Sequence, residues 1–149
     1  MTDVVRGPEV AGGPGSATGA PPGSTPVESY PFHLDLAALR EIVRTRARGA
    51  GLPPHRVVDL VLAVGEATAN TVRHAGGAGT LRIWQDETEI VCEVSDGGHM
   101  ENPHAGRQRP AAGTRGGQGL WIIHEACDQV EVTSGDTGTV LRMHMRRDG

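Results

Sequence analysis

The sequence has few cysteines and no long apolar run. Its two cysteines, Cys92 and Cys127, form no Cys-x-x-Cys pair, and a small secreted domain held together by disulfides would look different. No segment approaches the length of a membrane span, and the N-terminus lacks the apolar core of a signal peptide. These absences predict a cytoplasmic protein that does not enter a membrane. Both cysteines lie within apolar patterns, so we expect them to be buried as small apolar side chains.

The sequence also lacks an excess of positive charge, since its formal net charge is −4. A broad nucleic-acid surface needs clustered positive charge, so we do not expect direct binding to nucleic acid. Arginines do gather in two places, at positions 40–48 and 107–115. The first group fits a solvated helix face, and the second falls in a long loop.

The first 28 residues differ in composition from the rest of the chain. Glycine and proline fill 11 of these positions. Such a segment has too little apolar surface to offset the entropy lost on ordering it. We therefore expect residues 1–28 to form a disordered arm and residues 29–149 to form one domain of modest size.

Apolar periodicity predicts the first elements of that domain. Alternation over Tyr30–Leu36 predicts a short strand. Helical spacing then predicts one helix that ends near Gly49–Gly51 and a second that runs from Pro53 to about His74. The second helix is apolar almost all round, which predicts that it is deeply buried.

The rest of the chain alternates hairpins with one further helix. A hairpin follows the second helix, and its turn lies at Gln85–Thr88. Residues 97–116 show no apolar periodicity and predict a long loop, which in so small a domain is functional or disordered. The predicted order of elements is βααββ–loop–αββ. Its last part comprises a helix from Gly117 to about Ala126, a strand at Val130–Val132, a turn at Ser134–Asp136 and a strand at Thr139–Met145. Hairpins and helices without βαβ alternation indicate an α+β sandwich with helices on one face of the sheet.

A carboxylate and an amide share one face of the second helix. Glu66 and Asn70 lie four residues apart, so their side chains point to the same side. A carboxylate that continues an apolar surface is unfavourable unless it pairs, coordinates or reacts. Glu66 either pairs with Arg73 or another arginine, or contributes with Asn70 the oxygen atoms that suit Mg²⁺ beside phosphates.

Two glycine-containing turns complete the set of candidate residues. Asp96 and Gly98 lie at the end of a predicted strand, where the carboxylate either accepts a hydrogen bond from a ligand or belongs to a plain Asp-Gly turn. The segment Arg115–Leu120 opens a helix, and its glycines leave backbone N–H groups free to bind phosphate. The segment is not a Walker loop, because no Gly-Lys-Ser/Thr follows.

In this order and spacing the motifs resemble those of the GHKL ATPase superfamily, and within it the small anti-sigma-factor serine kinases. Glu66–His74 resembles the N box, Asp96–Gly98 the first glycine box, Gly117–Leu120 the second, and Gly138–Thr139 the adenine-side motif. The resemblance covers about residues 30–146. It implies a Bergerat-type two-layer sandwich with a mostly antiparallel, mixed sheet and a long ATP lid over residues 99–116.

The resemblance also implies ATP and Mg²⁺ as cofactors and assigns the site. Asp96 would accept a hydrogen bond from the adenine amino group, with Thr139 in support. Asn70 would hold Mg²⁺, and Glu66 would act as the general base toward a substrate serine. Arg115 is either a group that neutralises developing charge or a solvated loop arginine. The cofactor-binding set is Asn70, Asp96, Gly98, Arg115, Gly117, Gly119, Leu120 and Thr139.

The implied function is an ATP-binding anti-sigma factor that acts as a homodimer. It would sequester a sigma factor and phosphorylate a serine of an anti-anti-sigma antagonist of the STAS type. One departure supports an alternative, since Met100 stands where the superfamily usually has a second glycine. That alternative is an ATP-dependent regulatory binding protein with little or no phosphotransfer. An interaction domain with a degenerate pocket is disfavoured because Glu66, Asn70 and Asp96 are intact.

Overall fold

Five strands and three helices follow one another in the computed structural model, which describes residues 24–33, 35–98, 100 and 118–148. Their order along the chain is the one predicted from periodicity. The strands are β1 (Glu28–His33), β2 (Ala78–Gln85), β3 (Glu89–Asp96), β4 (Gln129–Gly135) and β5 (Gly138–Arg146). The helices are α1 (Leu36–Gly49), α2 (Pro54–Ala75) and α3 (Gln118–Ala126).

The strands form one sheet in the order β1-β2-β3-β5-β4. Every neighbouring pair is antiparallel, so the sheet is antiparallel throughout instead of mixed. The predicted α+β architecture is otherwise confirmed. The register of β3 against β5 places Asp96 directly opposite Thr139. Two residues that lie far apart in sequence are thereby brought to the same rim of the sheet.

The hydrophobic core lies between the helices and one face of the sheet. Alternate residues of β2, β3 and β5, such as Ile83, Ile90 and Met143, are fully buried against the helices. Cys92 and Cys127 are buried there as free thiols, as the sequence predicts. Burial raises the pKa of the Cys127 thiol to about 12.

Helix α2 is buried on its inner side only. Leu60 and Val64 are fully buried, but Val58 is 64% exposed, Leu62 46% and Val72 37%. The expectation that this helix is deeply buried is therefore confirmed for its inner side and wrong for its outer side. Helices α1 and α3 pack beside α2 and the sheet lies beneath it, and in the described part of the chain no further layer covers its outer side.

The ends of the helices follow their local sequence. Pro53 precedes α2 and Pro54 occupies its first turn, where the missing N–H group is not needed. Gly76 ends the same helix in the left-handed conformation, with φ of 73°, which glycine adopts without strain. The polypeptide thus turns sharply out of α2 and directly into β2.

The outer face of the sheet carries a row of ion pairs. Arg142 binds Glu93 at 2.8 Å and Glu131 at 3.4 Å, and its guanidinium lies over the ring of Trp84. Farther along the same face, His144 lies 3.2 Å from Glu89. Burial alone would lower the pKa of His144, but the nearby carboxylates of Glu131 and Glu89 outweigh it and raise that pKa.

Two boundaries differ from the sequence-based expectations. Strand β1 begins at Glu28, and Thr25 already hydrogen-bonds Gln85 through its backbone N–H at 2.8 Å. Structured contacts therefore start before the predicted end of the arm at residue 28, and residues 1–23 lie outside the described part. Ser134 and Gly135 belong to β4, so the predicted turn at Ser134–Asp136 is displaced toward residue 137. No helix in the described ranges is both long and apolar enough to span a bilayer.

Candidate functional site

The carboxylate of Asp96 is held in place at the rim of the sheet. Its Oδ2 accepts a hydrogen bond from the Thr71 hydroxyl at 2.8 Å, and its Oδ1 accepts one from the backbone N–H of Gly98 at 2.8 Å. A carboxylate oxygen accepts two hydrogen bonds. Each oxygen of Asp96 therefore keeps capacity for a ligand donor, and the two existing bonds fix its orientation.

A chain of hydroxyl groups supports the turn after Asp96. The Met100 backbone N–H donates to Ser134 Oγ at 2.8 Å, Ser134 Oγ lies 2.7 Å from Thr139 Oγ1, and Thr139 Oγ1 donates to the Gly98 carbonyl at 2.8 Å. A hydroxyl has one proton to donate. Ser134 must therefore be the donor to Thr139, and the chain runs in one direction from Met100 to Gly98.

Glycine at position 138 allows β5 to approach this turn closely. The φ of Gly138 is 131°, a conformation that other residues rarely adopt. A Cβ at this position would lie 3.3 Å from the Gly97 Cα and much closer to the Asp96 carbonyl oxygen than van der Waals contact allows. The backbone of β5 thus fixes the turn from behind.

Glu66 and Asn70 of α2 face the start of α3. A Cβ added to Gly119 would lie 2.9 Å from Glu66 Oε1 and 3.8 Å from Asn70 Oδ1. Gly119 and the acid–amide face therefore meet in space, and the missing side chain leaves the Glu66 carboxylate room. A helix N-terminus presents unpaired backbone N–H groups and favours negative charge.

Asn70 is almost fully buried, at 6% exposure, yet its amide is only half satisfied. Its Oδ1 accepts a hydrogen bond from Arg73, while its Nδ2 has no partner among the residues that the structure describes. A buried donor without an acceptor costs about 1–3 kcal/mol. An acceptor oxygen such as that of a phosphate would remove this cost, so the site fits an anionic, oxygen-rich ligand.

The Glu66 carboxylate is not held by an ion pair within the described residues. The sequence left open a pairing of Glu66 with Arg73, but the guanidinium of Arg73 binds Asn70 instead. Arg73 also lies 3.7 Å from the position of a Gly119 Cβ. It therefore places a positive charge beside the helix start, close to Glu66 and Asn70.

The structure describes some of the other predicted site residues but not all of them. Leu120 is buried in the hydrophobic core at 5% exposure, so only its backbone is available to a nucleotide. Met100 is likewise a core residue at 5% exposure. Arg115, Gly117 and the lid over residues 99–116 lie outside the described residues, apart from Met100, and stay predictions.

Sequence reasoning missed two residues that shape the site. Thr71 follows Asn70 directly, but its bond to Asp96 joins positions 25 residues apart, and periodicity gives no signal for such a contact. Ser134 was assigned to a turn, although its hydroxyl joins Met100 to Thr139. Both contacts depend on the sheet register, which one sequence does not specify.

The fold and this site together define an α+β ATP-binding domain of the GHKL kind, with a fixed carboxylate at one end and Gly119 near the start of α3 at the other. Residues 33–145 match the histidine kinase-like ATPase domain. The chain belongs to that family.

A solved structure shares this fold. The RsbU and RsbW domains of Rv1364c from Mycobacterium tuberculosis superpose with a TM-score of 0.60 and 16% sequence identity. The match covers 82% of this chain and 32% of the mycobacterial chain, so this protein spans about a third of that protein's length. No curated protein sequence is similar enough to match.

Proposed function

We propose that the protein is an ATP-dependent anti-sigma factor and protein serine kinase. It sequesters a sigma factor and phosphorylates a serine of an anti-anti-sigma antagonist of the STAS type. The observation that carries this proposal is the position of Glu66. Its carboxylate lies beside Gly119 at the start of α3, on the helix face of Asn70, with no ion pair among the described residues to neutralise it.

The adenine end of the proposed site is the Asp96 turn. Asp96 accepts the amino group of adenine, because its carboxylate is fixed by Thr71 and the Gly98 N–H and still has lone pairs free. Thr139 holds the Gly98 carbonyl at 2.8 Å, which keeps the backbone of the turn in place. Gly98 itself has no side chain that would obstruct the ring.

The phosphate end is the space between Asn70 and the start of α3. The Nδ2 of Asn70, which has no partner among the described residues, and the backbone N–H groups near Gly119 bind phosphate oxygens. Asn70 Oδ1 is the candidate ligand for Mg²⁺, which needs only one or two protein oxygens beside phosphates. Since Arg73 occupies that oxygen, it must turn away and can then pair with a phosphate itself. Bound Mg²⁺ would neutralise charge on the phosphates.

Glu66 performs the proton step. Its carboxylate takes the proton of the substrate serine as the serine oxygen forms a bond to the γ-phosphorus of ATP. The bond from that phosphorus to the β,γ-bridging oxygen breaks, and ADP leaves with the electron pair. Phosphoryl transfer depends mainly on positioning and charge neutralisation, so a single well-placed base is sufficient on the protein side.

The partners and the compartment complete the proposal. The motif resemblance to small anti-sigma-factor serine kinases supports a sigma factor and its antagonist as partners, a homodimer as the working form, and the cytoplasm as its location. The shared fold with a chain described as RsbU and RsbW domains is in keeping with that assignment.

One observation favours a second candidate, an ATP-dependent binding protein without phosphotransfer. Met100 is buried in the core, and its N–H is bound to Ser134. The chain is therefore anchored where a glycine would leave it free to move. Such an anchor at the start of the predicted lid is expected to affect turnover more than nucleotide binding.

Incubation with γ-labelled ATP and purified STAS-type antagonists separates the two candidates. The kinase proposal expects label on an antagonist serine with the wild type, and a loss of about 10²-fold or more with Glu66→Gln. Glu66→Gln should keep its ATP affinity, because the amide occupies the same volume. Glu125→Gln, an exposed change on α3, is the matched control and should label normally. If wild type binds ATP but labels no antagonist, the binding-protein function is correct and the kinase proposal is wrong.

A further inference from the structure

A groove of about 390 Å³ lies on the outer surface between α1 and α2. Its floor is apolar and comes from Val58, Val61 and Leu62 of α2, with Gly65 beyond them. Arg40 and Arg44 of α1 form its rim, and Glu66 lies at one end. The groove is separate from the Asp96 turn, yet it leads to the proposed base.

Two of the three exposed large apolar side chains in the described residues lie on the groove floor. Val58 and Leu62 are 64% and 46% exposed, and they lie four residues apart on the same helix face. Large apolar side chains in such a contiguous, solvent-facing position mark an interaction surface more often than isolated ones do. Their exposure has no role in folding, because the core of α2 is on the opposite side.

The rim of the groove carries positive charge that the described residues do not neutralise. Arg40 makes no ion pair within the described ranges, whereas Arg44 is paired with Glu41. The stem of Arg40 lies across Gly65, with its Cδ 3.8 Å from the position a Cβ would take. Arg40 thus borders the apolar floor, where its positive charge attracts a carboxylate that arrives together with an apolar side chain.

The distance from the apolar floor to Glu66 determines how many residues separate the docked apolar side chain from the residue that reaches Glu66. Leu62 and Val58 precede Glu66 by four and eight residues, which on a helix corresponds to about 6 and 12 Å. An extended segment covers about 3.3 Å per residue. An apolar side chain seated on this floor is therefore about two to four residues away from a residue that reaches Glu66.

We propose that this groove docks the protein substrate through a segment with an apolar residue on Val58 and Leu62 and an acidic residue against Arg40. The acceptor serine is about two to four residues away and reaches Glu66. This inference rests on the proposed kinase function and specifies its substrate class. The docked segment is extended and carries its acidic and apolar residues on the same side of the serine. Neutral or basic segments should not dock in the groove.

A panel of short fluorescein-labelled peptides tests the docking. The parent peptide carries one serine, with a leucine and an aspartate at the proposed spacing from it. It is made in two versions, one with the leucine and aspartate before the serine and one with them after it. Two further peptides replace the aspartate by lysine or the leucine by serine. Binding is measured by fluorescence anisotropy in the presence of ATP, and phosphotransfer is measured in parallel with γ-labelled ATP.

Two groove variants and two matched controls are compared. Leu62→Gln should weaken binding of the parent peptide by about tenfold, because it removes the apolar contact. Arg40→Glu should weaken binding of the parent peptide about fivefold. The same variant should bind the lysine peptide more tightly than the wild type does. Val72→Gln, also on α2, and Arg146→Glu, at the far end of β5, should bind within about twofold of the wild type. All four side chains are exposed, so melting temperatures should be unchanged.

The outcomes keep docking and kinase function distinguishable. Groove-dependent binding without phosphate transfer supports the docking site and contradicts the kinase proposal. If the rate of phosphate transfer depends neither on the residues flanking the serine nor on the groove variants, the docking site is overturned and the kinase proposal stands. The docking site is also overturned if no peptide binds while ATP does. If Leu62→Gln alters the sedimentation of the protein alone, a second copy of the chain covers the groove, and the inference is wrong.

Discussion

Replacing Gly138 by alanine tests how closely β5 approaches the Asp96 turn. Gly138 has φ of 131°, and an added Cβ would overlap the Asp96 carbonyl oxygen and lie 3.3 Å from the Gly97 Cα. Both obstacles are backbone atoms, which do not yield as the end of a flexible side chain does. Backbone strain of about 1–3 kcal/mol and a comparable term for overpacking give a loss of roughly 3 kcal/mol or more. For a domain of this size the melting temperature should fall by about 10 °C.

The neighbouring Gly135 supplies a matched control. It pairs with Gly138 across the same turn, but a Cβ there has no atom within 4 Å. Gly135→Ala should therefore change stability by less than about 0.5 kcal/mol. Thermal denaturation followed by circular dichroism gives the stability, and titration calorimetry gives the ATP affinity. Gly138→Ala should lose affinity as well, since relief of the overlap displaces Asp96. Equal melting temperatures and equal ATP affinities for the two variants would refute the close approach.

Two further predictions concern single side chains. Thr71→Val removes the donor to Asp96 Oδ2 and should weaken ATP binding about tenfold, since bonds to charged groups contribute about 1.5–3 kcal/mol. Thr68→Val, whose hydroxyl donates to backbone carbonyls of its own helix, should bind ATP as the wild type does; equal affinities for both variants would contradict the role of Thr71. The raised pKa of His144 means that the folded state binds its proton more tightly than the unfolded chain does. Its stabilisation is complete below the unfolded pKa of about 6.5 and is lost as the pH rises through the folded pKa. Urea unfolding from pH 6 upward should show wild type losing stability relative to His144→Gln, and parallel curves would contradict the raised pKa.

The order of elements could be predicted because each one follows from local chemistry. Pro53 and Pro54 mark the start of α2 and Gly76 its end, and alternation in β5 places Leu141 and Met143 in the core. These signals act over a few residues, so one sequence is enough to reveal them. The family resemblance depended on the same property, since each motif is a short segment at the end of one element.

The burial of α2 could not be predicted from its composition. An apolar helix is buried only where another element covers it, and nothing in residues 54–75 specifies how many neighbours there are. Val58 and Leu62 have the same side-chain chemistry as Val57 and Leu60, which are buried, yet they face outward. The exposed fraction depends on the layer arrangement, which emerges only from the complete fold.

Contacts between segments distant in sequence also could not be predicted from the sequence. Arg142 and Glu93 are 49 residues apart, and their ion pair exists because β3 and β5 pair in one register. The same register joins Asp96 to Thr139. A shift of one residue would send each side chain to the other face of the sheet, so the site exists only in the observed pairing.

The ATP affinity of Asp96→Asn tests the central claim most directly. The substitution preserves size but turns one acceptor oxygen of the fixed carboxylate into a donor, which opposes the amino group of adenine. Titration calorimetry with ATP and Mg²⁺ should show affinity at least about tenfold lower than that of the wild type, with the melting temperature of the free protein nearly unchanged. Equal ATP affinity in the two proteins would contradict the assignment of this turn as the adenine site.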